Sequence, residues 1–140
     1  MPSYFDTSAL AKLILVEDGT TDAFALWDAT DRVLTSLLTY PEVRSAMSAA
    51  LRDGRVARPR YAEVRAELDA YWERLHAAEL SEPLAEAAGD LADSYGLSGA
   101  DAVQLATALA TGGPDMVFVT WDRKLADAAH DLGLIVSPPG

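Results

Sequence analysis

Short apolar segments alternate along this chain with longer stretches of helical periodicity, and this alternation constrains the fold more than any other feature. The clearest segment is residues 116–120, in which four apolar residues run into a threonine. Similar patterns at residues 3–5, 32–36 and 134–136, with a weaker one at 76–80, also predict strands. Strands that alternate with helices predict an α/β fold in which helices cover both faces of a central parallel sheet.

Seven helices are predicted between and around these strands, because apolar residues recur there at intervals of three and four. Their predicted ranges are residues 8–17, 20–30, 40–53, 59–75, 81–95, 99–110 and 123–132. The loops between them are short, and the sequence has no internal repeat. A length of 140 residues fits one domain of about 100–200 residues, so a single domain over residues 1–140 is expected.

The cysteine count and the hydropathy pattern exclude several classes of protein. Without cysteine, the chain has no disulfide scaffold and no Cys-ligated zinc or iron–sulfur site, which fits a reducing compartment. No apolar run reaches the roughly 18 residues of a membrane span, and residues 1–10 lack the basic and apolar regions of a signal peptide. We therefore expect a soluble cytoplasmic protein that does not bind membranes.

The formal net charge of -11 disfavours nucleic-acid binding at first sight, since proteins that follow phosphates are usually basic. The charges are, however, unevenly distributed. Residues 44–65 contain six arginines and only two acids, Asp53 and Glu63. This segment is interpreted either as solvated helix faces or as a basic rim that positions RNA phosphates, with Arg44 as the best candidate.

Four acidic residues stand at positions where a parallel sheet would bring them together. Asp6 directly follows the first predicted strand, and Asp122 lies two residues past residues 116–120. Glu42 and Asp101 each lie near the start of a predicted helix. Functional sites of such sheets lie beyond the carboxyl ends of the strands, so the four carboxylates are predicted to converge there.

Taken singly, each of these acids is explained more simply as a helix cap. The two acids that follow strands are natural N-caps, because a carboxylate accepts hydrogen bonds from the free N–H groups of a first helical turn. Thr39 with Glu42, and Ser98 with Asp101, match the spacing of a capping box. It is the joint pattern that favours a shared site.

Carboxylates brought together repel one another and raise each other's pKa unless a cation compensates. Mg²⁺ or Mn²⁺ suits such a site, since both ions prefer oxygen ligands and accept phosphate oxygens as further ligands. The chemistry this supports is phosphodiester hydrolysis by a metal-activated water. The hydroxyls of Thr7, Ser8 and Thr120 are candidates for binding the substrate, although each also fits a capping role.

Four short motifs, taken in order, resemble the acidic motifs of PIN-domain nucleases. They are PheAspThrSerAla at residues 5–9, ThrTyrProGlu at 39–42, SerGlyAlaAspAlaValGlnLeuAlaThrAla at 98–108 and PheValThrTrpAsp at 118–122. Each motif alone is a weak signal, whereas the ordered set is strong and covers essentially the whole chain. Within that family, the size and the single domain are most similar to VapC-type toxins of bacterial toxin–antitoxin pairs.

The resemblance implies more than the pattern alone. It implies a three-layer α/β/α sandwich and a Mg²⁺- or Mn²⁺-dependent endoribonuclease that forms a homodimer and is inhibited by a cognate antitoxin. Asp6 and Asp101 match the acids that hold the metal most directly, and Glu42 and Asp122 match the other two acids of the site. All four are present, which favours an active enzyme that cleaves RNA.

Two other functions remain compatible with parts of the pattern. A phosphatase with Asp6 as its nucleophile is disfavoured, because no second acid stands two residues later. A non-catalytic module that binds only RNA or a partner helix is disfavoured by the complete set of four acids. A specific response to Mg²⁺ or Mn²⁺ would distinguish the enzyme from the binding module.

Overall fold

Five parallel strands form the central sheet in the computed structural model, which describes residues 1–138. The strands are β1 (Pro2–Phe5), β2 (Arg32–Ser36), β3 (His76–Ala78), β4 (Val117–Val119) and β5 (Ile135–Ser137), in the order β3-β2-β1-β4-β5. Every predicted strand is therefore present, although β3 ends two residues earlier than predicted. Residues 139 and 140, the end of the predicted domain, lie outside the described residues.

Within residues 1–138, seven α-helices and one short 3-10 turn connect the strands. They are α1 (Thr7–Ile14), α2 (Thr20–Ala29), α3 (Thr39–Arg52), the 3-10 turn (Arg58–Arg60), α4 (Tyr61–Trp72), α5 (Glu82–Tyr95), α6 (Gly99–Thr111) and α7 (Arg123–Asp131). All seven predicted helices are present. Helix α4 begins after residues 59–60 because Pro59 lies in the 3-10 turn, and α1 ends early because Leu15 adopts an extended backbone. None of the helices within residues 1–138 is long and apolar enough to cross a bilayer.

Two apolar cores, one on each face of the sheet, produce the three layers. Successive residues of a strand point to opposite faces. Phe5 accordingly packs into the core formed with α1 to α4, whereas its neighbour Tyr4 packs into the core formed with α5, α6 and α7. In that second core the ring of Tyr4 stacks on Phe118 with 5.5 Å between centroids. The predicted α/β/α sandwich with a parallel sheet is thus confirmed.

The strand register places the ends of the two central strands side by side. Phe5 at the end of β1 pairs with Val119 at the end of β4, and the N–H of Asp6 donates to the Val119 carbonyl at 3.2 Å. The residues that follow the two strands, Asp6 and Thr120, are therefore neighbours although 114 positions separate them. This edge of the sheet carries the candidate site.

Candidate active site

Asp6 is the most buried acid of the site and is also the N-cap of α1. Its Oδ1 accepts hydrogen bonds from the Ala9 N–H at 2.9 Å and the Ser8 hydroxyl at 2.7 Å, and its Oδ2 accepts from Thr120 at 2.5 Å. The residue is only 3% exposed. Burial raises its pKa to about 6, against the opposing effect of these hydrogen bonds, and the charge of Asp101 raises it further.

The hydroxyls beside Asp6 link the ends of the two central strands. Thr120 Oγ1, which donates to Asp6, accepts a hydrogen bond from the Asp122 N–H at 3.0 Å. Ser8 Oγ likewise donates to Asp6 and accepts from the Trp121 N–H at 2.9 Å. The two hydroxyls thus hold a carboxylate and the loop after β4, and substrate binding by either stays a prediction.

Glu42 approaches the same edge from the first turn of α3. Its Oε1 accepts hydrogen bonds from the Thr7 hydroxyl at 2.6 Å and from the Gln104 amide at 3.1 Å. The capping box predicted for Thr39 and Glu42 is wrong. Helix α3 has Leu38 as its N-cap without a side-chain cap bond, because the buried Thr39 hydroxyl bonds to other side chains instead.

Asp101 and Asp122 complete the set from the first turn of α6 and the N-cap of α7. The predicted cap is formed in each case: the Asp101 N–H donates to the Ser98 hydroxyl at 3.1 Å, and Asp122 Oδ1 accepts from the Leu125 N–H at 2.9 Å. The capping explanation and the convergence of the acids are therefore compatible.

The charges of the four acids affect one another, and Asp101 is the common member. Partial burial raises the pKa of Asp101, and the charges of Asp122 and Glu42 raise it further. The charge of Asp101 in turn raises the pKa of Asp6. Asp101 therefore lies within electrostatic reach of each of the other three carboxylates.

The donor set fits a hard divalent cation such as Mg²⁺. All four groups offer carboxylate oxygens, and no Lys or Arg within residues 1–138 forms an ion pair with any of them. In that same part of the chain, no group of three or more acidic or histidine side chains is arranged so that it could hold one metal ion. Mg²⁺ needs only one or two carboxylates from a protein, since waters and phosphate oxygens complete its shell.

Arg44, the arginine nearest to the acids in sequence, lies against aromatic residues. Its guanidinium stands over the Tyr40 ring at 5.7 Å and donates to the Tyr40 hydroxyl at 3.3 Å, and that hydroxyl donates to Asp69 of α4. The buried Arg44 Nε has no hydrogen-bond partner among the described residues. Phosphate binding by Arg44 stays a prediction, and the geometry shows a packing role beside it.

Three other arginines of residues 44–65 lie toward the far end of α3. Arg52 ends α3 ten residues after Glu42, which corresponds to about 15 Å of helix. Arg55 and Arg60 lie further along, each paired with a nearby acid, and they border a pocket with the end of α1. A basic rim beside the acids therefore stays a prediction, with Arg44 as its candidate.

Sequence reasoning missed Gln104, whose side chain contacts the site from α6. This residue is 2% exposed and its amide contacts Glu42 and Thr7. Its position three residues after Asp101, on the same face of a helix otherwise rich in Ala and Leu, is the signal that could have identified it. A polar residue at a buried helical position needs a hydrogen-bond partner.

Comparison with known proteins agrees with the fold. The family model described as the PIN domain matches residues 3–131. A protein named Ribonuclease VapC45 from Mycobacterium tuberculosis (strain CDC 1551 / Oshkosh) is 43% identical over 135 residues, which cover 96% of this chain and 94% of that protein.

Two solved structures are similar along nearly their whole length. One is PAE2754 from Pyrobaculum aerophilum, with 25% identity, a TM-score of 0.67 and coverage of 97% of this chain and 92% of that one. The other is a toxin–antitoxin complex from Klebsiella pneumoniae, in which the matching chain has 24% identity, a TM-score of 0.62 and 95% coverage of both chains. The resemblance carried by the four motifs is thereby confirmed, and the chain belongs to the PIN domain family.

Proposed function

We propose that this protein is an endoribonuclease that depends on Mg²⁺ or Mn²⁺ and hydrolyses RNA phosphodiester bonds as the toxin of a toxin–antitoxin pair. The observation that carries the proposal is the hydrogen bonding at one edge of the sheet, where Asp6 and the Asp122 N–H share the Thr120 hydroxyl and Glu42 binds Thr7, the neighbour of Asp6. The name of the ribonuclease from Mycobacterium tuberculosis, at 43% identity, supports RNA as the substrate.

Asp6 and Asp101 would hold the metal, with Glu42 and Asp122 as the outer acids of the site. When bound, the metal lowers the pKa of water and stabilises negative charge on the phosphate under attack. Asp6 is well suited to this role because three hydrogen bonds hold both of its oxygens in place. Asp101 and Asp122 lie at the N-terminal ends of α6 and α7, whose helix dipoles place positive partial charge beside the site.

The remaining residues position the carboxylates and the RNA. Thr7, Ser8 and Thr120 donate to Glu42 and Asp6, which leaves the carboxylates in fixed orientations before RNA arrives. Fixed charges at the point where charge develops contribute more to catalysis than groups that must reorganise. Arg44 would bind a phosphate of the RNA through the part of its guanidinium not occupied by Tyr40.

The partners follow from the same proposal. The similar chain from Klebsiella pneumoniae is part of a toxin–antitoxin complex, which supports a cognate antitoxin for this chain. We propose a homodimer that cleaves RNA in the cytoplasm and is inhibited there by its antitoxin. Co-expression with the neighbouring small reading frame, followed by purification of the complex, tests the antitoxin.

The direct test of the proposed activity is RNA cleavage by the purified protein. Incubation with total RNA and Mg²⁺ should produce discrete fragments, whose ends sequencing would locate, and EDTA should prevent their formation. Cleavage that continues undiminished in EDTA would contradict the metal-dependent reaction. No cleavage of any RNA, with or without metal, would favour a non-catalytic module instead.

Metal binding gives a prediction that does not depend on finding the right RNA. Mg²⁺ or Mn²⁺ should raise the Tm of the protein, because a ligand that binds only the folded state stabilises it, by about 2.7 kcal/mol at one hundred times its Kd. Thermal unfolding in Mn²⁺, Mg²⁺ and Ca²⁺ series would measure this effect. The Asp101→Asn variant should lose most of the rise, whereas Asp93→Asn, an exposed acid of α5, should keep it.

The absence of any described group of three acids arranged around one point is the observation that favours the alternative, a module that binds RNA or a partner without cleaving it. Such a module would show no specific response to Mg²⁺ or Mn²⁺. The thermal unfolding series therefore distinguishes the two functions.

A further inference from the structure

The Gln104 side chain joins three elements beneath the acidic site. It projects from α6, one turn after Asp101, into the space between α6, β1 and α3. The residue is buried and its amide takes part in hydrogen bonds at both ends, so the group is fully engaged. Burial of an amide is unfavourable unless its hydrogen bonds are formed, so this position is set by specific contacts and not by packing alone.

Glu42 and Tyr4 together determine the orientation of the amide. The Glu42 carboxylate can only accept a hydrogen bond, so the NH₂ group must face it, and the buried Tyr4 hydroxyl donates to Gln104 Oε1 on the other side at 2.7 Å. The NH₂ group has two protons. One reaches the Thr39 hydroxyl at 3.0 Å, and the other is shared between Thr7 and Glu42, each at 3.1 Å.

These hydrogen bonds hold only one of the two oxygens of the Glu42 carboxylate. Oε1 accepts from both Gln104 and Thr7, whereas no hydrogen bond among the described residues uses Oε2. The two oxygens of Glu42 are therefore inequivalent. Oε1 is held by hydrogen bonds within the protein, whereas Oε2 can interact with other groups at the site. Without the amide, the carboxylate would depend on the single hydroxyl of Thr7.

We propose that Gln104 is a positioning residue that sets Glu42 for the reaction. Its amide, oriented in part by Tyr4, fixes the rotation of the Glu42 carboxylate and the spacing between α3, which carries Glu42, and α6, which carries Asp101. This inference rests on the proposed function, since it assigns Gln104 a role in RNA cleavage through Glu42.

The first test is Gln104→Met, which keeps the length of the side chain and removes all of its strong hydrogen bonds. We expect kcat to fall by about 10–100-fold, the usual range for residues that orient a metal-site ligand, while KM changes less than about twofold. Thr111→Val is the matched control, because it removes a hydrogen bond of the same helix that lies far from Glu42. An unchanged kcat in a folded Gln104→Met protein would overturn the proposal.

A double-mutant cycle separates positioning from a merely structural role. If Gln104 acts through Glu42, Gln104→Met should add no further loss of single-turnover rate in a Glu42→Ala background. Equal losses in both backgrounds would show that the amide supports the fold in general, and would contradict the proposal.

Tyr4→Phe, which leaves the contact with Glu42 in place, keeps the test open if Gln104→Met does not fold. It should lower kcat by a smaller factor, and an unchanged kcat in folded Tyr4→Phe would count against the proposed orientation by Tyr4.

A crystal structure of the folded variant tests the positioning without any RNA. In Gln104→Met the Glu42 carboxylate should adopt a different rotation about its hydrogen bond to Thr7, because that hydroxyl alone remains to hold it. If that variant does not fold, Tyr4→Phe should instead show a changed orientation of the Gln104 amide. Wild-type orientations in the folded variant would overturn the proposal. If wild-type protein cleaves no RNA while Glu42 moves as expected, the proposed function fails and the positioning of Glu42 by Gln104 stands.

Discussion

Asp101→Asn should reduce RNA cleavage by more than about 100-fold and leave the protein folded. The replacement has the same size but cannot offer a charged ligand, and a metal ligand should matter more than outer-shell partners, whose loss alone costs about 10–100-fold. Folding should be little affected, because the cap formed by the Ser98 hydroxyl uses the backbone N–H of residue 101. Initial rates on a defined RNA, together with circular dichroism, measure both effects.

The same variant makes an independent electrostatic prediction. Because the charge of Asp101 raises the pKa of Asp6, Asp101→Asn should shift the titration of Asp6 downward from about 6. Carboxyl ¹³C NMR in metal-free buffer would follow it. Asp93→Asn supplies the matched control, since it removes one exposed acid of α5 and should change neither cleavage nor the titration of Asp6. Full activity of Asp101→Asn, in reactions that EDTA also fails to stop, would be incompatible with the mechanism.

The convergence of these acids could be predicted because it depends on topology more than on detail. Apolar periodicity is a local property, so strands such as β1 and β4 were recognisable without knowledge of their contacts. Once the sheet is parallel, residues that follow its strands must share an edge, which brings Asp6 and Asp122 together. The family motifs added which of the 22 acids are expected to form the site.

What the sequence did not reveal depends on contacts between distant residues. Thr39 has the spacing of a capping residue, yet its hydroxyl is engaged by Gln104, which lies 65 positions later. For the basic segment the limit is geometric: a straight helix carries Arg52 about 15 Å from Glu42, so closeness in sequence does not give closeness to the site. Neither outcome could be read from local patterns.

Asp6→Asn should likewise abolish cleavage, and it should also make the metal-free protein more stable at pH 8. Burial raises the pKa of Asp6 from 3.8 to about 6, so the folded state favours the protonated carboxyl more than the unfolded state does. The stability this provides is fully present below pH 4 and is lost as the pH rises through about 6. Two pKa units correspond to about 3 kcal/mol, which is the cost of the buried charge at pH 8.

Asparagine removes that charge and keeps the N-cap, because its side-chain oxygen can still accept from the Ala9 N–H. It loses the charged acceptor for Thr120, so we expect a net gain of about 1–2 kcal/mol in the free energy of unfolding at pH 8. The gain should vanish near pH 4, where the wild-type carboxyl is also neutral. Urea unfolding in EDTA at the two pH values measures the difference, with Asp6→Ala as a control that also loses the cap and should be less stable than Asp6→Asn at both pH values.

The sign of this result distinguishes a structural acid from a functional one. If Asp6 were present only to cap α1, its ionised form would favour the fold, and Asp6→Asn would be less stable than wild type at pH 8. A carboxylate that opposes folding in the absence of metal, and whose loss ends RNA cleavage, is kept for its charge. Addition of Mg²⁺ should then stabilise the wild type more than Asp6→Asn, because the cation offsets the repulsion that the buried carboxylate introduces.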